Sequence, residues 1–280
     1  MLQFTILSEN TVKMNDLLAE WGLSIFIKTE KIKILYDCGK SITAAHNAQR
    51  IGINLNEIDV ILLSHSHYDH TGGLLEILSR INKEQIDIIV HPQIWAERYN
   101  RSQGEKDKFM GILFRSQQID NYGAKFRYTT KPLKITRNIL TSGEIPMITN
   151  FECFDTNIKR LMKKDNKFIP DYILDEQAIF IQTKEGLIVL TACAHRGIIN
   201  TLYHAQNITG EKRIYAVIGG IHLLHSSIER IEKTIELFKK LNIQRLYLGH
   251  CTGLNAITLI SHEFGERFFG INTGTIIEFL

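Results

Sequence analysis

Residues 64–73 of this 280-residue chain read Ser64-His65-Ser66-His67-Tyr68-Asp69-His70-Thr71-Gly72-Gly73. Three imidazoles and one carboxylate, all common metal ligands, fall within residues 65–70. Because side chains alternate along an extended segment, the His-x-His spacing directs two imidazoles to the same side. Asp69 and His70 follow at once and point elsewhere. The stretch therefore predicts ligands for two neighbouring metal ions rather than for one.

An apolar run, Ile58-Asp59-Val60-Ile61-Leu62-Leu63, precedes this stretch. Such a run is typical of a strand that is buried on both faces, and the Gly pair allows the chain to turn into a helix. In open α/β sheets, ligands gather at the carboxyl ends of the strands. We therefore predict an α/β fold with a metal site at that edge. A polar turn that is merely rich in His is the alternative.

The composition excludes several classes of protein. Hydrophobic residues make up 44% and charged residues 22% of the chain, as in ordinary globular proteins. The net charge is only +3 and no long basic run occurs, so nothing indicates nucleic-acid binding. No apolar run approaches the roughly 18 residues of a membrane span, and no signal peptide is recognisable, so we expect a cytoplasmic protein. The four Cys residues are widely spaced without a Cys-x-x-Cys pair, which argues against a disulfide framework or a zinc ribbon.

The first part of the chain alternates between apolar and polar residues over 23–29 and 32–36, which predicts a β-hairpin. The second strand ends at Asp37. This residue is expected either to form the turn or to orient a ligand His through a hydrogen bond, and the downstream cluster favours the second role. The other elements predicted in this half are a short strand at 3–7, helices at 44–55 and 73–81 and a buried strand at 86–90.

Residues from about 92 to 175 have a different character, because aromatic residues are scattered among charged and turn residues without a sustained period. We expect one domain over 1–280, with this segment as an inserted lid or small subdomain. A basic helical face is predicted within it. Its residues are Lys159, Arg160, Lys163, Lys164 and Lys167. A solvated surface and attraction of a phosphorylated substrate are the two interpretations of that face.

The regular pattern resumes in the second half, with strands predicted at 179–183, 187–191, 215–218 and 246–248. A helix capped by Ser227 is predicted to run to about residue 241. Three of these strands are each followed by a His within two residues of a Gly, namely His195, His222 and His250. One such His is usually an ordinary polar residue. Together with the central stretch, four strand ends predict convergence of ligands on one edge.

The segment His65-Ser66-His67-Tyr68-Asp69-His70 resembles the signature of the metallo-β-lactamase superfamily, whose fold is a four-layer αββα sandwich that binds one or two metal ions. Asp37, His195 and His250 follow in the order of that superfamily's motifs. A narrower resemblance covers nearly the whole chain, to the branch that contains the archaeal 7,8-dihydropterin-6-methyl-4-(β-D-ribofuranosyl)aminobenzene-5′-phosphate synthases and bacterial relatives. It is carried by Gly22-Leu23-Ser24, Leu35-Tyr36-Asp37-Cys38-Gly39, Ser142-Gly143-Glu144-Ile145-Pro146, Cys193-Ala194-His195-Arg196-Gly197-Ile198-Ile199-Asn200-Thr201, Gly219-Gly220-Ile221-His222-Leu223 and Gly249-His250-Cys251-Thr252-Gly253.

The resemblance implies two divalent metal ions. It places one on His65, His67 and His195 and the other on Asp69, His70 and His250. Zinc suits these ligands, and iron or manganese would also bind. The superfamily usually adds a bridging Asp, but this chain has no Asp between His195 and His250. We therefore expect His195 or water to bridge, with a weaker second site.

Three residues are candidates for catalysis. Asp69 is expected to accept a proton as well as to bind metal. His222 is an extra ligand, a substrate-facing acid or a plain structural residue. Arg196 is expected either to stabilise a phosphate or a developing oxyanion, or to lie on the surface.

Two reactions fit these residues. One is hydrolysis of an ester, lactone or phosphodiester; the other is a dihydropterin-type synthesis, in which an arylamine displaces pyrophosphate. We expect a small-molecule substrate, phosphorylated or pterin-like, and from the composition neither nucleic acid nor a membrane as partner. A homo-oligomer is compatible with the sequence. The alternative from another class is a metal-bound regulatory or sensing protein with little turnover.

Overall fold

A computed structural model describes residues 1–102, 104, 106–152 and 158–279. The chain divides into two compact units. Unit 1 contains Met1–Thr129, Arg160–Asp171 and Asn272–Leu280, and unit 2 contains Thr130–Lys159 and Tyr172–Ile271. Among the described residues, no helix has the length and apolar character needed to cross a membrane.

The strands, in chain order, are β1 (Leu2–Ser8), β2 (Ser24–Lys28), β3 (Lys33–Tyr36), β4 (Val60–Leu62), β5 (Ile86–Val90), β6 (Glu97–Ser102), β7 (Lys108–Phe109), β8 (Ala124–Tyr128), β9 (Ile139–Thr141), β10 (Ile158–Lys164), β11 (Lys167–Pro170), β12 (Ile179–Thr183), β13 (Gly186–Thr191), β14 (Ile214–Gly219), β15 (Arg245–Leu248), β16 (Phe268–Gly270) and β17 (Ile276–Phe279). The α-helices are α1 (Thr43–Ile51), α2 (Tyr68–Thr71), α3 (Leu74–Ser79), α4 (Gln117–Asp120), α5 (Ile198–Thr209), α6 (Ile228–Lys240) and α7 (Leu254–Phe264).

Unit 1 is built on a seven-stranded sheet in the order β17-β1-β2-β3-β4-β5-β8. The predicted hairpin is present as the antiparallel pair β2–β3, and β3, β4, β5 and β8 run parallel. The apolar faces of α1 and α3 pack with β4 and β5 in one core cluster, to which β4 contributes Ile61, and all three residues of β4 are buried. Helix α1 ends before the predicted residue 55 because Gly52 adopts a left-handed conformation, with φ of 82°.

A second, four-stranded sheet has the order β11-β10-β6-β7. The prediction of a basic helical face at 159–167 is wrong, because these residues lie in the hairpin β10–β11. Asp165 and Asn166 both adopt positive φ, as a two-residue hairpin turn requires, and this turn overrides the helix propensity of the lysines. A buried ion pair supports this sheet: Arg98 Nη1 lies 2.6 and 2.8 Å from the carboxylate oxygens of Asp171.

Unit 2 is built on a six-stranded sheet in the order β16-β15-β14-β13-β12-β9. Strands β13, β14, β15 and β16 run parallel, whereas β12 and β9 pair antiparallel. Apolar residues of α5, α6 and α7 pack with these strands in one core cluster. Helix α6 has the predicted cap, because Ser227 Oγ accepts a hydrogen bond from the Arg230 amide.

The segment from 92 to 175 contributes to all three sheets, since β8 joins the seven-stranded sheet and β9 joins the six-stranded one. Its role as a lid stays a prediction, as does the single-domain organisation over 1–280.

Candidate metal centre

The four predicted ligands of the central stretch are buried together in unit 1, at the carboxyl end of β4. The exposed fraction is 0% for His65 and His70 and 5% for His67 and Asp69. His65 Nε2 lies 3.0 Å from His67 Nδ1, and His70 Nε2 lies 3.8 Å from Asp69 Oδ2. The rings of His65 and His70 are 4.3 Å apart between centroids. The stretch thus folds into a compact cluster of imidazoles with one carboxylate.

Asp37 organises this cluster from the end of β3. Its carboxylate accepts hydrogen bonds from the Ser64 amide, from Ser64 Oγ and from His70 Nδ1, each at 2.7 Å. The expected hydrogen bond to a histidine is therefore present. Burial raises the pKa of Asp37, and the contacts with His70 and Ser64 offset part of that rise. Asp37 also has a φ of 60°, a strained conformation for a residue other than Gly.

This hydrogen-bond network selects the ring tautomers. Ser64 Oγ donates to Asp37 and lies 2.8 Å from His65 Nδ1, so that nitrogen donates to the hydroxyl and Nε2 is the acceptor. His70 likewise donates from Nδ1, so its Nε2 is the acceptor. Because His65 Nε2 faces His67 Nδ1, a proton or a cation must lie between these two nitrogens. The donor set therefore fits a divalent metal.

The Gly pair is needed for the turn out of the cluster. A Cβ atom on Gly73 would clash with the carbonyl oxygen of Cys38, and one on Gly72 with that of Lys40. Loop 38–41 is itself held by Glu20, whose Oε1 accepts from the amides of Lys40 and Ser41 at 2.8 and 3.1 Å. The backbone of this loop is thus held against the metal-ligand stretch.

Tyr68, between the ligands His67 and Asp69, is flanked by two exposed lysines. The Nζ atoms of Lys40 and Lys108 lie 5.6 and 5.8 Å from the centroid of its ring. The Tyr68 amide also donates to the Met110 carbonyl at 3.0 Å, which ties the segment after β7 to the cluster. Neither lysine can be recognised as a neighbour of Tyr68 from the sequence, because they are 28 and 40 residues away from it in the chain.

Unit 2 brings its three predicted histidines to the ends of adjacent parallel strands. His195 follows β13, His222 follows β14 and His250 follows β15. The rings of His195 and His222 lie 4.1 Å apart between centroids. Ala194, His222 and His250 adopt φ values of 56°, 51° and 52°. Positive φ at such residues is costly and clusters at functional sites.

Two cysteines accompany these histidines, although their spacing in the sequence argued against a disulfide framework or a zinc ribbon. Cys193, His195 and His222 form one triad whose ligand atoms all lie within 4.8 Å of one another. Cys193, His250 and Cys251 form a second triad by the same measure. Both thiols are buried and neither forms a disulfide. The spacing Cys193-Ala194-His195, which parallels His-x-His, was the available signal.

The backbone around His195 is held by Glu176, a residue that the sequence analysis did not single out. Its carboxylate accepts from the amides of His195 and Arg196 at 2.7 and 2.6 Å. Burial raises the pKa of Glu176 to about 7. Arg196 donates from Nε to the Ile145 carbonyl at 2.9 Å and from Nη1 to the Tyr172 carbonyl at 3.0 Å. Burial lowers the pKa of Arg196. In this conformation Arg196 links the backbone at Ile145 to that at Tyr172. Its catalytic role stays a prediction.

The sequence and the structure both match known proteins. The metallo-beta-lactamase superfamily model matches residues 22–146. A 7,8-dihydropterin-6-methyl-4-(beta-D-ribofuranosyl)-aminobenzene-5′-phosphate synthase from Methanocaldococcus jannaschii is 36% identical over 272 residues, covering 93% of this chain and 90% of that protein. Among solved structures, Tm1679, described as a metal-dependent hydrolase of the beta-lactamase superfamily, has a TM-score of 0.84 and 27% identity, covering 100% of this chain and 99% of the other.

A more distant structure, Zn(2+)-bound PqqB from Methylobacterium extorquens, has a TM-score of 0.57 and 10% identity. The match covers 99% of this chain and 100% of the PqqB chain. At that identity the likeness concerns the fold alone. These matches confirm the predicted fold class, the α/β metallo-β-lactamase sandwich, and the resemblance to the dihydropterin synthase branch. This chain belongs to the metallo-β-lactamase superfamily.

Proposed function

We propose that this protein is a dinuclear metalloenzyme that joins an arylamine to a dihydropterin-type diphosphate and releases pyrophosphate. The observation that carries the proposal is the relative from Methanocaldococcus jannaschii, which is 36% identical over 93% of this chain and is named a 7,8-dihydropterin-6-methyl-4-(beta-D-ribofuranosyl)-aminobenzene-5′-phosphate synthase. The buried His and Asp cluster at the end of β4 supports metal binding.

From the superfamily resemblance, we propose six metal ligands. His65, His67 and His195 hold one ion, and Asp69, His70 and His250 hold the other. When bound, such ions neutralise negative charge on a diphosphate leaving group. Zinc is the metal that we propose, since imidazole and carboxylate ligands suit it.

The chain's own residues then bind the substrate and move protons. The amine loses a proton as its bond to carbon forms and the bond from carbon to the diphosphate oxygen breaks. Asp69 is the proposed acceptor of that proton, and His222 is the proposed donor to the departing diphosphate. Asp37 keeps His70 oriented, as its 2.7 Å hydrogen bond indicates.

Lys40 and Lys108 are the residues that we propose to meet the anionic part of the substrate. Both ammonium groups lie beside Tyr68, next to two of the proposed ligands, and both are exposed. Lysine binds phosphate oxygens as a mobile point charge. A phosphorylated substrate therefore suits this face of the cluster better than a neutral one.

Hydrolysis is the second candidate. Tm1679, which shares 27% identity and covers nearly the full length, is described as a metal-dependent hydrolase. In a hydrolase, water would take the place of the arylamine as the nucleophile at the same cluster of residues.

One assay separates these functions. Zinc-loaded protein is incubated with a dihydropterin methyl diphosphate, with and without a phosphoribosyl arylamine, and released pyrophosphate and coupled product are measured. Pyrophosphate release that requires the amine, together with product, supports the synthase. Release without the amine indicates a hydrolase. No release in either mixture would refute the synthase proposal, and metal binding without turnover of phosphoesters or lactones would favour a regulatory or sensing protein.

A further inference from the structure

The thiol of Cys193 occupies a central position in the ligand cluster of unit 2. Cys193 follows β13 and is 3% exposed. It belongs to both triads of that cluster, the one with His195 and His222 and the one with His250 and Cys251. The Cys193 sulfur thus lies within 4.8 Å of potential ligand atoms that follow both β14 and β15, which is the position expected of a metal ligand.

An anionic ligand in this cluster would offset the charge of a bound divalent metal. Imidazoles are neutral when they bind metal, and the sequence has no Asp between His195 and His250. The Glu residues of that interval do not supply the charge: Glu229, Glu232 and Glu236 are exposed, and Glu211 pairs with Arg213. A thiolate is a strong ligand for zinc and carries one negative charge.

We propose that Cys193 is a metal ligand, binding as the thiolate and supplying the charge that a bridging Asp supplies elsewhere in the superfamily. The inference rests on the proposed metal binding. On binding, the sulfur–metal bond forms and the thiol proton passes to the solvent, with no change of oxidation state.

The neighbouring Cys251 has a different role. Its Sγ lies 3.5 Å from the Cys193 carbonyl oxygen and 4.0 Å from that of Ala192, so its thiol donates a hydrogen bond to the backbone. A Cβ atom on Gly220 would approach the Cys251 sulfur to 2.6 Å, so this sulfur is closely packed. Cys251 is therefore a matched control, buried beside Cys193 but engaged with the backbone.

Cobalt(II) tests the assignment, because a thiolate bound to cobalt absorbs in the near ultraviolet through sulfur-to-metal charge transfer, whereas imidazole and carboxylate ligands do not. The full-length protein and the Cys193→Ser and Cys251→Ser variants are depleted of metal, loaded with cobalt, and measured for bound cobalt and absorption. We expect the charge-transfer band in the wild type and in Cys251→Ser, and its loss in Cys193→Ser. Zinc affinity should fall in Cys193→Ser by more than the about 10- to 100-fold that loss of an outer-sphere partner costs.

Cys193→Asp covers the case in which the Ser variant does not fold. It should bind two cobalt ions without the charge-transfer band, because a carboxylate restores the charge but not the sulfur. Cobalt binding by the wild type without this band, or a band that survives in a folded Cys193→Ser, overturns the inference and leaves the metalloenzyme proposal standing. A wild type that binds neither cobalt nor zinc overturns both.

Discussion

Replacing Asp37 with Asn should weaken both metal binding and the fold of unit 1. The side chain is fully buried and accepts three hydrogen bonds of 2.7 Å, two of them on Oδ2 from Ser64 Oγ and His70 Nδ1. An amide nitrogen at that position accepts neither. Hydrogen bonds to a charged acceptor contribute about 1.5–3 kcal/mol each, so two losses lower the free energy of unfolding by about 3–6 kcal/mol. Part of this loss is offset, because burying a neutral amide costs less than burying a carboxylate.

Metal affinity should fall by roughly 10- to 100-fold, the usual cost of removing the partner that orients a ligand histidine. Zinc affinity is measured by competition with a chromophoric chelator, and stability by urea denaturation of the metal-free protein. The control is Asp16→Asn, since Asp16 and Arg50 form an ion pair in which both side chains are about half exposed. An Asp37→Asn variant with wild-type zinc affinity would refute the view that Asp37 orients His70.

Three further predictions concern the same half of the chain and the metal. Gly73→Ala should lower both stability and metal content, because the new Cβ would clash with the Cys38 carbonyl oxygen; circular dichroism and elemental analysis check this. Lys40→Gln and Lys108→Gln should each raise KM for a phosphorylated substrate roughly tenfold with little change in kcat, as expected for loss of one charge-assisted contact. Steady-state kinetics test this, and the exposed Lys125→Gln serves as the control that should leave KM unchanged. Adding a chelator should lower Tm, since a metal at 100 times its Kd stabilises the folded state by about 2.7 kcal/mol. Calorimetry with and without chelator measures this. Equal Tm values would show that no metal binds the folded state.

Much of the fold could be predicted because its signals are local. The apolar run before Ser64, the alternation over 32–36 and the cap at Ser227 each depend on neighbours within one strand or one helical turn. The structure accordingly has β4, β3 and α6 at these places. The prediction of a helix at 159–167 was wrong. Lysines favour a helix in isolation, but the turn at Asp165 and the antiparallel pairing of β10 with β11 stabilise a hairpin instead.

The sequence by itself determined the strand ends that carry the candidate ligands, since a His after an apolar strand and near a Gly is visible without coordinates. Only the tertiary structure decided which other side chains join them. Cys193 is recognised as a candidate ligand because it shares triads with His222 and His250. Glu176 is recognised because its carboxylate accepts a hydrogen bond from the amide of His195. Cys193 and His250 are 57 residues apart in the chain. Such contacts depend on how parallel strands are ordered in the sheet, and no periodicity in the chain encodes that order.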